Sequence, residues 1–343
     1  MNQKHSFSRY WGFIICLLLM GIGAISLYLS STTQAIPTNA TASSQDFIKW
    51  AEFNIPLNAL QKAGQADIDR YQSETPVNWI EALACLATTY GGDWTKYKPK
   101  QLDDIIQQLN DGQTPEQIVS SNKKSYQYYY EVYQAVLGGF IGIYQLENPD
   151  GSITTQYGVK VFSPIASGYS YSHYRDFMNH RSYGFSRPHM GNDLLGNTGT
   201  PIIAVESGTV ESLGWNQYGG WRIGIRSFDK KRYYYYAHLK SGHPFVEGLK
   251  EHDTVLAGEV IGYLGMTGYS TKEDTNGMSK PHLHFGMQLI FDESQKECDS
   301  EIWIDVYDII NFLEKHRSET IYDEQSNEHI RLYDFNDIDS VEP

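Results

Sequence analysis

Short apolar runs separated by glycine fill residues 161 to 289, and this pattern limits the possible folds most strongly. The runs are rich in Ile, Val and Tyr, and they break at turn residues such as Ser207-Gly208 and Gly219-Gly220. No helical pattern separates them, so the connections should be antiparallel. We therefore expect an antiparallel β-sheet here, with strands over 201–205, 208–213, 222–227, 232–239, 260–266 and 282–289.

Residues 47 to 144 show helical patterns instead. Asn78 with Glu81 three residues later is a helix start signal, apolar residues then recur at helical spacing, and Gly91 ends the run. Thr114-Pro115 marks a second start, and the tyrosine-rich residues 126–139 predict a third helix. These signals predict a small all-helical domain over residues 47–148.

Residues 11–29 form a run of 19 uncharged, mostly apolar residues, preceded by Lys4 and Arg9. This length suits a transmembrane anchor at the cell membrane, with the rest of the chain outside the cytoplasm. The alternative is a signal peptide that is cleaved before secretion, since small residues follow the run. We assign residues 1–29 to a cytoplasmic flank and anchor (or signal peptide) and residues 30–46 to a flexible linker.

The chain has 27 Lys+Arg and 41 Asp+Glu, a net charge of -14. This balance excludes non-specific nucleic-acid binding, which needs cations against phosphate. Residues 314–343 contribute -6, and we expect a short helix end followed by a solvated acidic tail. The three cysteines are not at metal-ligand spacing, so any metal must be held by histidines and carboxylates.

Two pairs of polar residues have metal-ligand spacing. His189 and Asp193 are four apart, while His282 and His284 are two apart and would share one face of a strand. Two imidazoles and one carboxylate, with water in the fourth position, form a familiar catalytic zinc site. His189, Asp193 and one of the two paired histidines would supply it.

A fifth candidate is His238, which ends a strand-like run where alternation would place it beside Tyr234 and Tyr236. An unligated imidazole near such a site can move a proton or stabilise an oxyanion. The alternatives are ordinary packed histidines, or a structural zinc held by four protein ligands.

Five sequence blocks follow one another in this region: HMGND (189–193), GTPIIAVESGTV (199–210), YAHL (236–239), GEVIGYLGMTGYST (258–271) and PHLHF (281–285). Together they resemble the lysostaphin-type, LytM-like zinc endopeptidases that cut peptidoglycan peptides. The resemblance implies a bacterial source and a compact antiparallel β core with a narrow groove. It also implies that His189, Asp193 and His284 bind Zn²⁺, while His238 and His282 orient the attacking water and stabilise the oxyanion.

Residues 272–280 depart from that family pattern, because family members have almost nothing at this point. A longer loop should therefore flank the groove. No HExxH motif is present, which excludes a thermolysin-like metalloprotease.

Together these patterns predict an α+β chain with an N-terminal transmembrane helix, a small all-helical domain (47–148), an antiparallel LytM-like peptidase domain (160–313) and an acidic C-terminal tail (314–343). The predicted function is that of an exported, membrane-anchored zinc endopeptidase acting on peptidoglycan. The alternative is a catalytically silent wall-binding or scaffolding protein. Expected partners are peptidoglycan peptides, the membrane through the N-terminal helix, and a protein bound by the helical domain, but no nucleic acid.

Overall fold

Helices come first along the described chain, and strands follow them. The computed structural model describes residues 47–182, 186–296 and 300–338. The helices are α1 (Leu57–Arg70), α2 (Trp79–Tyr90), α3 (Pro99–Asn110), α4 (Pro115–Val119), α5 (Lys123–Leu137) and α6 (Tyr307–Leu313). The strands are β1 (Ile141–Glu147), β2 (Ile153–Val159), β3 (Ser172–His173), β4 (His180–Ser182), β5 (Ser186–Pro188), β6 (Asn192–Leu195), β7 (Pro201–Ile203), β8 (Gly208–Asn216), β9 (Gly220–Ser227), β10 (Arg232–Ala237), β11 (Thr254–Val255), β12 (Val260–Tyr263), β13 (His282–Leu289), β14 (Ile302–Ile304), β15 (Thr320–Asp323), β16 (Glu328–Arg331) and β17 (Phe335–Asp337).

The main sheet is antiparallel, as expected from its short, glycine-punctuated runs. Eight of the described strands form it, in the order β11-β8-β9-β10-β13-β6-β3, with β14 also paired to β13. Its inner face is fully buried at Ile223, Ile225, Tyr234 and Tyr236. Because side chains alternate along a strand, the neighbours of these residues point to the opposite face. That face carries the candidate site.

The helical part follows its sequence signals closely. The Asn78 side chain accepts hydrogen bonds from the backbone N–H groups of Ile80 (2.9 Å) and Glu81 (3.1 Å), and Gly91 ends α2 in the left-handed conformation at φ 63°. A capping box starts α4 at Thr114 with Pro115 in the first turn. All three helix predictions are confirmed. Helix α2 is buried along most of its length, so it forms the centre around which the other helices pack.

Replacing Asn78 by alanine should lower the free energy of unfolding by about 1 kcal/mol, because two N–H groups of α2 lose their acceptor. Urea denaturation followed by circular dichroism measures this. Asn54→Ala is the matched control: its exposed amide bonds only Glu52 among the contacts described, and its effect should stay within about 0.5 kcal/mol. Equal losses in the two variants would contradict the capping role.

A buried ion pair joins the helical part to the main sheet. Arg232 on β10 is 1% exposed and bonds both carboxylate oxygens of Glu206, at 2.7 and 2.9 Å. It also donates to the backbone carbonyl of Ala135 in α5, at 2.8 Å. Gly139, just after α5, lies so close that a Cβ there would sit 1.8 Å from Glu206 Oε1. The end of α5 is thus held directly against this pair.

The expectation of a solvated tail over residues 314–343 is wrong for its described part. Strands β15 and β16 form a hairpin, and β17 pairs with β1 beside β2 in a three-stranded sheet. Two acids of this segment, Glu328 and Asp337, are buried and hydrogen-bonded. Glu328 accepts from Tyr263, His243 and the backbone N–H of Glu247, and Asp337 pairs with Lys160 at 2.8 Å. Counting the charges of this segment could not reveal these partners, because they are distant in the sequence.

The range 47–148, predicted as an all-helical domain, also contains a strand. Strand β1 lies wholly inside this range, and β2 lies between it and the predicted peptidase domain. Helix α2 also contacts the C-terminal part of the chain, since Trp79 stacks on Phe312 with ring centroids 5.9 Å apart. The chain from Ile48 onward forms one compact unit.

The prediction of an N-terminal transmembrane helix is corrected. In the part of the chain that the structure describes, no helix has the length and apolar character needed to cross a bilayer. The segment 11–29, on which the prediction rested, lies outside the described residues. The described residues therefore support an α+β fold only, and the predicted localisation as a single-pass protein at the cell membrane is withdrawn.

Candidate functional site

Strand register brings two of the candidate residues face to face. Asp193 on β6 pairs directly with His284 on β13. His189 lies three residues before β6 and is buried, and His282 opens β13 two residues before His284. Gly191 lets the chain pass close to this pair, because a Cβ there would come within 2.9 Å of the His284 ring. This contact gives a physical reason for the glycine of the HMGND block.

Three ligand atoms form a small triangle. His189 Nε2 lies 3.0 Å from Asp193 Oδ1 and 2.8 Å from His284 Nδ1, and the last two atoms are 3.2 Å apart. Donors at about 2.0–2.1 Å from a tetrahedral zinc are about 3.3 Å apart. Two neutral imidazoles and a carboxylate are also ligands that zinc accepts, so the donor set fits a metal ion in both chemistry and spacing.

Asp176 and Arg181 support this triangle. His189 Nδ1 donates to the backbone carbonyl of Asp176 at 3.1 Å and lies 3.4 Å from its carboxylate. These contacts orient the ring so that Nε2 faces the other two atoms of the triangle. Arg181 Nη2 bridges the carboxylates of Asp176 (2.7 Å) and Asp193 (3.2 Å). The second oxygen of Asp193 is thereby occupied, and its first is left to the triangle.

His238 and His282 stand beside the triangle with one nitrogen fixed each. His238 Nδ1 donates to the Thr267 carbonyl (2.8 Å), and His282 Nδ1 donates to the Lys280 carbonyl (2.9 Å). Their rings are 4.8 Å apart. His282 Nε2 is buried without a hydrogen-bond partner among the described residues and lies 3.8 Å from Asp193 Oδ1. Both imidazoles therefore keep Nε2 available as a proton acceptor.

The expectation that His238 shares a face with Tyr234 and Tyr236 is wrong. Strand β10 ends at Ala237, and His238 has the left-handed backbone angle φ 63°, which breaks the alternation. Tyr234 and Tyr236 lie in the core, whereas His238 lines the groove. The irregular backbone thus turns His238 toward the other four residues.

The direction of the pKa shift differs from one candidate residue to another. Burial would raise the pKa of Asp193, but hydrogen bonds with His189 and His284 outweigh it and hold the pKa well below its usual range. Burial opposes the charged form of His189 too, yet its bonds with Asp176 and Asp193 raise its pKa to about 9. Burial lowers the pKa of His284, and lowers that of His238 strongly with help from the neighbouring His282 and His284. His238 is therefore a neutral base at pH 7.

The site opens into a groove with a volume of about 720 Å³. Aromatic residues form much of its wall. Tyr235 lies edge-on to His284 with ring centroids 5.9 Å apart, and Trp303 lies 6.2 Å beyond it. Tyr269 stacks on His238 at 5.9 Å. Such a cleft suits an extended chain that crosses the metal ligands.

The inserted loop, residues 272–280, flanks this groove as expected. The Asp274 carboxylate fastens it by accepting from Trp221 Nε1 (2.8 Å) and from the Gly242 N–H (2.9 Å). Met278 from the same loop lines the groove. The loop is thus in a position to contact whatever binds there.

Sequence reasoning missed Asp176, Arg181 and Tyr269 as parts of the site. Asp176 and Arg181 precede the first family-like block and have no periodic relation to it, so only the folded chain brings them to His189. Tyr269 stood inside the quoted GYST block, yet nothing distinguished it from the other tyrosines of the chain.

A model of known sequence families matches this region. Residues 187–297 match "Peptidase family M23", and this range contains all five candidate residues. The helical part lies outside the match.

Named relatives match the same part of the chain. An L-Ala--D-Glu endopeptidase from Bacillus subtilis is 41% identical over 124 residues, which are 36% of this chain and 36% of the relative. Lysostaphin from Staphylococcus staphylolyticus is 40% identical over 98 residues, 28% of this chain and 18% of lysostaphin. The chain thus spans about a third or less of the length of these relatives.

A solved structure extends the likeness beyond the matched region. A Ruminococcus gnavus protein assigned as a glycyl-glycine endopeptidase lytM is 24% identical, with a TM-score of 0.50, covering 76% of this chain and 90% of its own. At this identity it supports the fold alone. The resemblance read from the five sequence blocks is confirmed by the family match and by the two relatives: residues 187–297 of this chain form a domain of peptidase family M23.

Proposed function

We propose that this chain is a zinc endopeptidase that hydrolyses peptide bonds in peptidoglycan. The observation that carries the proposal is the triangle of His189, Asp193 and His284, which lies in a groove beside two histidines with available nitrogens. Catalytic zinc sites have three protein ligands, whereas structural zinc sites have four, so the number of donors here favours a catalytic site. The relatives named L-Ala--D-Glu endopeptidase and lysostaphin support the reaction class.

His189 Nε2, Asp193 Oδ1 and His284 Nδ1 would hold the ion. When bound, zinc supplies a water of lowered pKa and a positive charge that polarises the scissile carbonyl. The bond of His189 to Asp176 and that of Asp193 to Arg181 fix the orientation of two of these ligands before any metal arrives.

His238 and His282 would handle the proton. Each has its Nδ1 proton committed to a backbone carbonyl, so each presents Nε2 as a base toward the groove. A proton taken from the attacking water at Nε2 can then pass to the amine of the departing peptide. The resulting imidazolium can stabilise the developing oxyanion. The division of these two steps between the histidines is left open in the proposal.

Digestion of purified peptidoglycan tests this function. The wild-type chain should release new amino groups, lose this activity when a chelator removes the metal, and regain it with zinc. A chain that binds zinc stoichiometrically but releases no amino groups would contradict the peptidase function and would favour a silent wall-binding protein. Mass spectrometry of the fragments would identify the bond that is cut.

A further inference from the structure

Two arginines in the groove have no acidic partner among the described residues. Arg222 on β9 donates from Nη1 to Ser212 Oγ at 2.9 Å, and Arg187 on β5 donates from Nη2 to the Tyr269 hydroxyl. The Nε atom of each is buried without a hydrogen-bond partner. A guanidinium has five N–H donors, so most donors of both side chains lack an acceptor within the described chain.

The carboxylates that line the groove are already engaged. Asp193 belongs to the metal triangle. Glu211 pairs with Arg226 and Lys296, and Glu301 accepts from the indole N–H of Trp303. None of them pairs with the two arginines in the described structure. The chain as a whole has a net charge of -14. Two arginines without an acidic partner in one groove of such a chain indicate that this groove binds an anionic ligand.

Both arginines lie close to the reacting centre. Ile223, which follows Arg222, pairs with Tyr236, and Tyr236 pairs with Phe285, which follows His284. Arg222 and His284 therefore lie at the same level of the sheet, with β10 between them. Strands are about 4.8 Å apart, so the Cα atoms of Arg222 and His284 are about 10 Å apart, the length of about three residues of extended peptide. Arg187 reaches the same area through Tyr269, which stacks on His238.

The two guanidinium groups also converge on Tyr235. Burial raises the pKa of the Tyr235 hydroxyl, and the positive charges of Arg222 and Arg187 both act against that rise. Farther along β13, Gln288 is 4% exposed, lines the groove and has an amide nitrogen without a partner among the described residues. Arg187, Arg222 and Gln288 thus all line the groove with hydrogen-bond donors that lack an acceptor among the described residues. Buried donors of this kind cost free energy until an acceptor reaches them.

We infer that Arg187 and Arg222 bind a carboxylate of the substrate peptide, so that the chain selects peptides with an acidic residue within about three positions of the cleaved bond. This inference rests on the proposed peptidase function and specifies its substrate class. Carboxylates are the groups that a guanidinium fork binds in bidentate fashion. The B. subtilis relative is named for a bond next to D-Glu, which has such a carboxylate.

Two peptidoglycan preparations test the inference, one with the D-Glu carboxylate free and one with it converted to the carboxamide. The wild-type chain should cleave the first with a kcat/KM about 10- to 100-fold higher, because a charge-assisted hydrogen bond is lost in the second. Arg222→Gln and Arg187→Gln should each reduce this ratio to about threefold or less. Arg222→Lys should keep part of it. Lys100→Gln, which removes an exposed cation on α3, is the matched control and should keep the full ratio.

A binding measurement separates recognition from turnover. Soluble peptides of the same two kinds, titrated into the His238→Ala variant, should show the same preference in their dissociation constants. Equal cleavage of both preparations by the wild type would overturn the inference and leave the peptidase function intact. The inference would also be overturned if each glutamine variant cleaved both preparations more slowly but kept the wild-type ratio of kcat/KM between them. If the wild type cleaves neither preparation, the proposed function fails first.

Discussion

His284→Ala should abolish both metal binding and peptide hydrolysis. The change removes one corner of the triangle, whose other two corners lie 2.8 and 3.2 Å away. Loss of a hydrogen-bond partner of a ligand typically costs about 10- to 100-fold in metal affinity or activity, and loss of a ligand itself should exceed this. Zinc content after dialysis and the rate of amino-group release from peptidoglycan measure the two effects.

Two further variants should affect zinc binding less than His284→Ala does, or not at all. Asp176→Ala removes the carboxylate beside His189 Nδ1 but no ligand, so it should reduce zinc affinity by only about 10- to 100-fold. His173→Ala is the matched control, because His173 contacts Asn311 and Tyr307 instead of the triangle; its zinc content should equal that of the wild type. Wild-type zinc content and activity in His284→Ala would contradict the assignment of this residue as a ligand.

The largest expected loss of stability follows from Glu206→Ala. The change leaves the buried Arg232 without its bidentate partner and removes the acceptor of the Tyr234 hydroxyl, which bonds Glu206 at 2.6 Å. Breaking a buried ion pair from one side costs about 3–5 kcal/mol when the remaining charge is left unpaired. Asp229, 2.8 Å from Arg232 Nη2, keeps part of this charge paired, so we expect a loss near the lower end of that range. The free energy of unfolding in urea measures this cost.

A longer pair whose carboxylate is exposed provides the comparison for Glu206→Ala. Glu259 lies 3.7 Å from Arg331 and its side chain is 37% exposed, so Glu259→Ala should cost about 1 kcal/mol or less. Both variants replace one glutamate by alanine. If Glu206→Ala costs no more than Glu259→Ala, the pair between Arg232 and Glu206 does not hold the helical part to the sheet in the way argued above.

Local patterns predicted the helix starts and the antiparallel sheet. Asn78, Gly91 and Thr114 act through neighbours within a few residues, so their effects could be read from the sequence. The spacing of His189 and Asp193, and of His282 and His284, pointed to one shared site, and the structure places all four around one groove.

What sequence could not reveal depends on contacts between distant residues. Asp176 is 13 positions from His189, with the hairpin of β4 and β5 between them, so no periodicity connects them. His238 adopts a left-handed backbone that non-glycine residues seldom have, and strand alternation therefore gave it the wrong neighbours. Glu328 and Asp337 of the C-terminal segment were expected to be solvated because their partners, such as Lys160 for Asp337, are far away in the chain.

The pairing of the last described strand with the first also affects how the chain folds. Lys160 and Asp337 are 177 positions apart, and both are nearly inaccessible to solvent once paired. Strand β1 likewise pairs with β17, although all strands of the main sheet lie between these two in the sequence. Contacts of such long range raise the contact order, and closing such large loops is slow. During synthesis, Lys160 and the free edge of β1 must therefore wait until nearly the entire chain has emerged, which makes the three-stranded sheet a late step of folding.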